Sequence, residues 1–211
     1  MKIHAKKKSS RRWLKEHFND EFVKQANQQG WRSRAVFKLQ ELDQRFNLLK
    51  SGMNIVDLGA APGGWSQYAV SRLKNHGRVF ALDILEMSPI EGVRFIQGDF
   101  REDEALTDLN SMLAGQKIDL LLSDMAPNIS GIAVSDQARA MYLAELALDF
   151  ARQVLKQDGV MVVKLFQGAG ISEYQQEVRN SFEKTAMPKP KASRSRSREV
   201  YLLARGFQPN R

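Results

Sequence analysis

The chain alternates between short apolar runs and longer amphipathic stretches. Runs at Met53 to Leu58, Arg78 to Ile84, Val93 to Gln97, Ile118 to Asp124, Val160 to Phe166 and Val200 to Ala204 are five to seven residues long, and each predicts a strand. Between them, Val36, Phe37, Leu39, Leu42 and Phe46 recur at three- and four-residue intervals, which predicts a helix that begins at Ser33 and carries Lys38 on or beside its inner face. Helical patterns follow from Trp65 to about Asn75, near 101–115, near 135–157 and near 171–182. Strand, helix, strand, repeated, predicts an α/β fold in which a parallel sheet is covered on both faces. One position disturbs the pattern. In GVMVVKLFQG, residues 159 to 168, Lys164 interrupts an apolar strand where a charged amine is costly to desolvate. A lysine at a random strand end snorkels to water, so Lys164 has a function only if the neighbouring strand ends supply partners.

Composition narrows the class. With 211 residues, 43% of them hydrophobic, the chain can bury one sizeable core. The expected division is a basic N-terminal extension with a short helical segment over 1–30 and a single domain over 31–211. No run of about 18 apolar residues occurs, and the basic start MKIHAKKKSSRRW lacks an apolar segment after it, so neither a membrane span nor a secretory signal is expected and the location is read as cytoplasmic. The absence of cysteine excludes disulfides and thiolate metal sites. His4, His17 and His76 show no ligand spacing, so no metal is expected. The net charge of +8 is unevenly placed. Residues 1–38 hold eleven Lys or Arg against three acids and residues 184–211 hold eight against one, which leaves 13 against 20 in between. Two basic ends on an acidic body form a footprint for a polyanion if both fold to one side, whereas Lys6 to Arg12 alone reads equally well as a solvated tail.

The chemistry gathers at predicted strand ends. In IVDLGAAPGGWSQ a strand ends in Asp57, and Gly59, Gly63 and Gly64 allow a tight turn before the next helix. The glycines do not make the dinucleotide spacing G-x-G-x-x-G, Pro62 occupies the turn, and Asp57 would repel a pyrophosphate. A ligand carrying a cation, such as the sulfonium and amino group of S-adenosylmethionine, suits the acid better. Asp83 in VFALDI follows the second strand, where a carboxylate can accept from both hydroxyls of an adenosine ribose, and Asp99 in FIQGDF follows the third, where it can meet the adenine amino group. Asp124, ending IDLLLSD at the switch point of a doubly wound sheet, faces the reactive end of such a ligand, and Lys164 ends the next strand beside it. A lysine there becomes a candidate base when burial or a second cation favours the neutral amine.

The segments SRRWLKEHF, RSRAVFKL, VDLGAAPGGWSQY, QGDFR, SDMAPNISG, RAMYLAELAL, VVKLFQG and SRSREVY together resemble the RlmE (FtsJ, RrmJ) family of bacterial ribosomal RNA large-subunit uridine 2'-O-methyltransferases, over nearly the full chain. The resemblance implies a Rossmann-like class I S-adenosylmethionine-dependent methyltransferase fold, with seven strands in the order 3-2-1-4-5-7-6 and the last antiparallel. It implies a catalytic set of Lys38, Asp124, Lys164 and Glu199, with cofactor contacts at Gly63, Trp65, Asp83, Asp99 and Asp124. The implied cofactor is S-adenosyl-L-methionine, and the implied partner is large-subunit (23S) ribosomal RNA within the assembled 50S particle. Arg32, Arg34, Arg194, Arg196 and Arg198 are the candidate RNA contacts, and a monomer is the default state.

Two other classes share parts of this pattern. A nicotinamide-dependent oxidoreductase would use the same sheet but would want a pyrophosphate-compatible loop. A non-catalytic RNA-binding factor would keep the basic ends but need neither Lys38 nor Glu199. Among methyltransferases, SDMAPN partly matches the acidic Pro-Pro-aromatic signature of amino-group methylation, but the second proline and the aromatic are absent.

Overall fold

Strands whose apolar residues are buried on both faces favour parallel pairing with helices covering each side. The computed structural model describes residues 20–74 and 76–209. In chain order its elements are α1 (Glu21–Gln28), α2 (Val36–Phe46), β1 (Asn54–Leu58), α3 (Gly64–Leu73), β2 (Arg78–Asp83), β3 (Val93–Gln97), α4 (Asp103–Leu113), β4 (Ile118–Ser123), α5 (Ala133–Val154), β5 (Leu155–Phe166), α6 (Ile171–Arg179), β6 (Phe182–Ala186) and β7 (Glu199–Phe207). The sheet runs β3-β2-β1-β4-β5-β7-β6. Strands β1 to β5 are parallel, and β7 lies antiparallel between β5 and β6.

Side chains alternate across each strand, and the alternation sorts the core into two layers. Val56, Leu58, Phe80, Leu82, Leu121, Met161, Val163 and Leu202 pack against α4, α5 and α6. Ile55, Val79, Leu120, Leu122, Val162, Tyr201 and Leu203 pack against α1, α2 and α3. Lys164 continues the second set, two residues beyond Val162, so it emerges on the α2 side of the sheet.

The structure differs from the sequence pattern in places. The helical pattern near 171–182 runs through what are two elements, since α6 stops at Arg179 and Phe182 opens β6. Tyr174, Val178 and Phe182 are all buried and spaced by four, so the helical period continues across the break, while β6, an edge strand, buries little besides Phe182. Strand β5 begins earlier than Val160, at Leu155 opposite Ile118, with a register shift before Leu120 meets Val160. The described part of the expected 1–30 extension packs as part of the domain: Ala26 is buried and Phe22 meets Phe37 with ring centroids 5.5 Å apart. Asp20 caps α1 by accepting from Phe22 N–H at 3.0 Å. The basic stretch Lys6 to Arg12 and the expected helix end at Asn75 lie outside the described residues. No helix among the described residues is long and apolar enough to cross a membrane.

Candidate active site

Parallel strands β1 to β5 all end at one edge of the sheet, and the antiparallel β7 starts there. That geometry gathers residues from Asp57 to Glu199 along one crevice. Two halves of it differ in chemistry.

The first half lies over β1, β2 and β3. Gly59 has φ 75°, and a Cβ on it would stand 2.8 Å from Met125 N, so both conformation and the close approach of the β4 chain require glycine. Asp83 accepts from Ala61 N–H and from Leu85 N–H, each at 2.8 Å, which ties the β1–α3 turn to the segment after β2. Asp99 accepts from Arg101 Nη2 at 2.5 Å and from its Nε at 2.9 Å; these bonds hold its carboxyl below the usual carboxylate range. Gly59, Ala61, Asp83, Asp99, Asp124 and Met125 are among the residues lining a cleft of about 570 Å³, within the size of ligand pockets generally. Asp57 sits beneath it, fully buried. Its Oδ2 accepts from Ser66 Oγ at 2.6 Å, and Oδ1 finds no partner among the described residues. Burial pushes this carboxyl up to about 7, with Asp124 and Asp83 adding repulsion.

Of the expected cofactor contacts, Asp83, Asp99 and Asp124 line the cleft, whereas Gly63 and Trp65 do not. Gly63 caps α3 without a side chain and its own N–H donates to Ala60 O at 2.7 Å, so what these two residues can offer is the Trp65 main-chain N–H at the helix start. The Trp65 indole is buried, donating to Ala35 O at 2.8 Å with its ring 5.7 Å from that of Tyr201.

The second half lies over β4, β5 and β7. Ser123 stands opposite Val163 in register, so Asp124 and Lys164 leave the sheet side by side. Lys164 Nζ is 3.1 Å from Asp124 Oδ1 and also donates to Asp124 O. Across the antiparallel pair Lys164 faces Tyr201, and Phe166 faces Glu199. Tyr201 Oη donates to Asp124 Oδ1 at 2.7 Å. Lys38 descends from α2 to place Nζ 2.9 Å from Glu199 Oε1 and 5.8 Å from the Tyr201 ring centroid. The structure therefore brings all four expected catalytic side chains together, as two ion pairs bridged by a tyrosine that strand patterning marks only as core. The one available signal for Tyr201 was its place two residues after Glu199, on the same strand face. The lysine and glutamate side chains are 8 to 13% exposed, so these charges are largely withdrawn from water. Burial alone would raise the Asp124 carboxyl. Lys164 and then Lys38 outweigh it, with help from the Tyr201 hydroxyl, and hold it below the usual range. Burial, and then the neighbouring Asp124 and Glu199 carboxylates, keep the Tyr201 phenol well above its ordinary value.

The candidate RNA-binding arginines divide into two groups. Arg34 is engaged internally, with Asp20 and with Ala192 O, and burial lowers its guanidinium from the ordinary value. Arg32 bonds to the carbonyls of Ser88 and Pro89. Arg194 approaches Asp20 at 3.7 Å, while Arg196 and Arg198 lie exposed on the loop that leads into Glu199.

A seven-stranded sheet in this order, with carboxylates beyond β2 and β3 and a lysine-rich cluster beyond β4, β5 and β7, defines a Rossmann-like methyltransferase fold. Residues 31–207 match the FtsJ-like methyltransferase family, and the chain belongs to that family. It is 56% identical over 203 residues to Ribosomal RNA large subunit methyltransferase E of Legionella pneumophila (strain Corby), covering 96% of this chain and 98% of the relative. It is 60% identical over 195 residues to the protein of the same name from Methylobacillus flagellatus, covering 92% and 94%. Its fold is similar to a crystal structure described as a ribosomal RNA methyltransferase from Plasmodium falciparum, with a TM-score of 0.76 and 32% identity over 84% of this chain and 98% of that one.

Proposed function

We propose that this protein methylates the ribose 2'-hydroxyl of a uridine in large-subunit (23S) ribosomal RNA, using S-adenosylmethionine. The observation that carries the proposal is the buried cluster in which Lys164 sits 3.1 Å from Asp124, a residue that lines the cleft. A hydroxyl must lose its proton as it attacks, and a lysine fixed by a carboxylate suits that task; an exocyclic amine would need no such base. The names of the relatives, both large-subunit ribosomal RNA methyltransferases, support the RNA class.

The cleft fits the cofactor by its donor set. Asp83, whose carboxylate accepts two N–H groups, keeps lone pairs for ribose hydroxyls, Asp99 offers an acceptor for an amino group, and the turn from Gly59 brings backbone close. When bound, S-adenosylmethionine supplies an electrophilic methyl group on a sulfonium that leaves as a neutral thioether. Lys164, after its own proton has passed to solvent, accepts the 2'-hydroxyl proton as the ribose oxygen attacks in line. Asp124, steadied by Tyr201, orients that amine and stabilises the ammonium that forms. Lys38, paired with Glu199, closes the far side of the ribose position and orients the ribose.

On this reading the substrate is RNA within the assembled 50S particle, the acting form is a monomer in the cytoplasm, and Arg194, Arg196 and Arg198 contact phosphates. The test is to incubate the protein and labelled S-adenosylmethionine with large subunits from cells lacking it, digest the RNA and separate the nucleosides. Label in 2'-O-methyluridine is expected; label on a base, or none, would overturn the proposal. Free 23S RNA under the same conditions is expected to be the poorer acceptor.

A further inference from the structure

Arg32 lies between α1 and α2, where a basic residue reads naturally as a phosphate contact, yet its surroundings point elsewhere. Its Nη1 donates to Ser88 O at 2.6 Å and reaches Pro62 O at 3.4 Å, and its Nη2 donates to Pro89 O at 2.7 Å. The base of the residue is fixed as well: Arg32 N–H donates to Gln67 Oε1 at 3.1 Å, and Gln67 Nε2 donates to Gly30 O at 3.0 Å. The side chain also passes close to Gly63, where an added Cβ would lie 3.2 Å from Arg32 Cδ.

The three carbonyls come from two segments. Pro62 belongs to the β1–α3 turn, and Ser88 and Pro89 belong to the connection between β2 and β3. Both segments contribute to the lining of the first half of the cleft, Ala61 from one and Ile84 and Leu85 from the other, beside Asp83 at the end of β2. Asp83 holds the near end of the connection. Beyond it, Ile84 and Leu85 are 56% and 64% exposed; the stretch is then anchored by Met87, buried against Ala60 and Ala81, and by Arg32, which binds the two carbonyls that follow Met87. A planar guanidinium matches two successive carbonyls with a fork of fixed geometry, which the single ammonium of a lysine does not reproduce.

We propose that Arg32 is a positioning residue for the cofactor, locking the 84–92 segment against the β1–α3 turn so that Asp83 meets the adenosine ribose. The inference rests on the S-adenosylmethionine reading of the cleft. It removes Arg32 from the set of RNA contacts.

Arg32→Lys keeps the charge and loses the fork, and Arg32→Gln loses both. In the full-length, cofactor-free protein, both variants are expected to show faster amide hydrogen exchange across 84–92. Both are expected to bind S-adenosylmethionine about tenfold more weakly, the loss of about one net hydrogen bond to a charged group. The loss should appear in KM for the cofactor and recover at saturation, and the salt dependence of RNA binding should stay at the wild-type slope. A phosphate contact gives the opposite pattern: Arg32→Lys behaves as wild type, while Arg32→Gln keeps its cofactor affinity and lowers the slope by about 0.7 to 0.9. That pattern, or unchanged cofactor affinity in both variants, overturns the inference. Failure of the wild-type protein itself to bind S-adenosylmethionine would instead sink the reading on which it rests.

Discussion

The two halves of the cleft use carboxylates for different ends. Beyond β2 and β3, Asp83 is answered by backbone N–H groups and Asp99 by a guanidinium. Beyond β4, β5 and β7, Asp124 and Glu199 are answered by the amines of Lys164 and Lys38. A peptide N–H and an arginine keep their protons under any condition the fold survives, so the first half is a fixed set of hydrogen-bond acceptors, which the proposed function assigns to ligand hydroxyl and amino groups. A lysine amine is able to exchange its proton. On the proposed function the same acid serves a binding surface in one place and a proton-handling one in the other, and the partner decides which.

The sharpest break between the halves is expected at Lys164. Lys164→Ala should lower single-turnover methyl transfer by about a hundred- to ten-thousand-fold, the range for loss of a general base, while S-adenosylmethionine affinity stays within a few-fold of wild type.

Asp57, beneath the junction of the halves, is the next test. Its folded value of about 7 lies above the unfolded value of 3.8, so the folded state holds an extra proton between those limits and stability falls as pH rises from about 4 to about 7. Asp124 has the opposite sign: its lowered value contributes stability above pH 4 that is lost only as pH falls further, so the two windows do not overlap. Urea unfolding at pH 5 and pH 8 should show a wild-type loss of about 2 to 3 kcal/mol that Asp57→Asn lacks.

Tyr201→Phe removes the hydroxyl bridge to Asp124 and keeps the packed ring. Methyl transfer should drop by about tenfold in kcat, as expected for one hydrogen bond to a charged group, with KM for the cofactor unchanged. The smallest effects are expected outside the cleft. Changing Arg194, Arg196 and Arg198 to Gln should reduce the slope of RNA affinity against salt by about 0.7 to 0.9 for each phosphate that an arginine had neutralised, and leave cofactor affinity intact.

Much of this arrangement is legible before any coordinates. Six strands stand out as apolar runs, and Asp83, Asp99, Asp124 and Lys164 are visible because a charge at the end of such a run is costly without a purpose. Glu199 was reachable only through family resemblance, because its partner Lys38 is far away in sequence and the two meet only once β7 inserts beside β5. Strand β6 was hidden by the four-residue spacing of Tyr174, Val178 and Phe182, and Tyr201 by its likeness to any core aromatic. Arg32 and Arg34 have intramolecular partners that the sequence does not show, for a common physical reason. Their partners include main-chain carbonyls of Ser88, Pro89 and Ala192, and a carbonyl leaves no trace in residue type.

The division of labour is tested most directly by one crossed measurement, in which cofactor affinity and single-turnover rate at saturating S-adenosylmethionine are determined for Lys164→Ala and Asp83→Ala together. The expected result is a crossed pattern, with rate lost and affinity kept in Lys164→Ala, and affinity lost and rate kept in Asp83→Ala. If both quantities fall together in both variants, or Lys164→Ala turns over at a near-normal rate, the two halves do not have separate tasks and Lys164 is not the base.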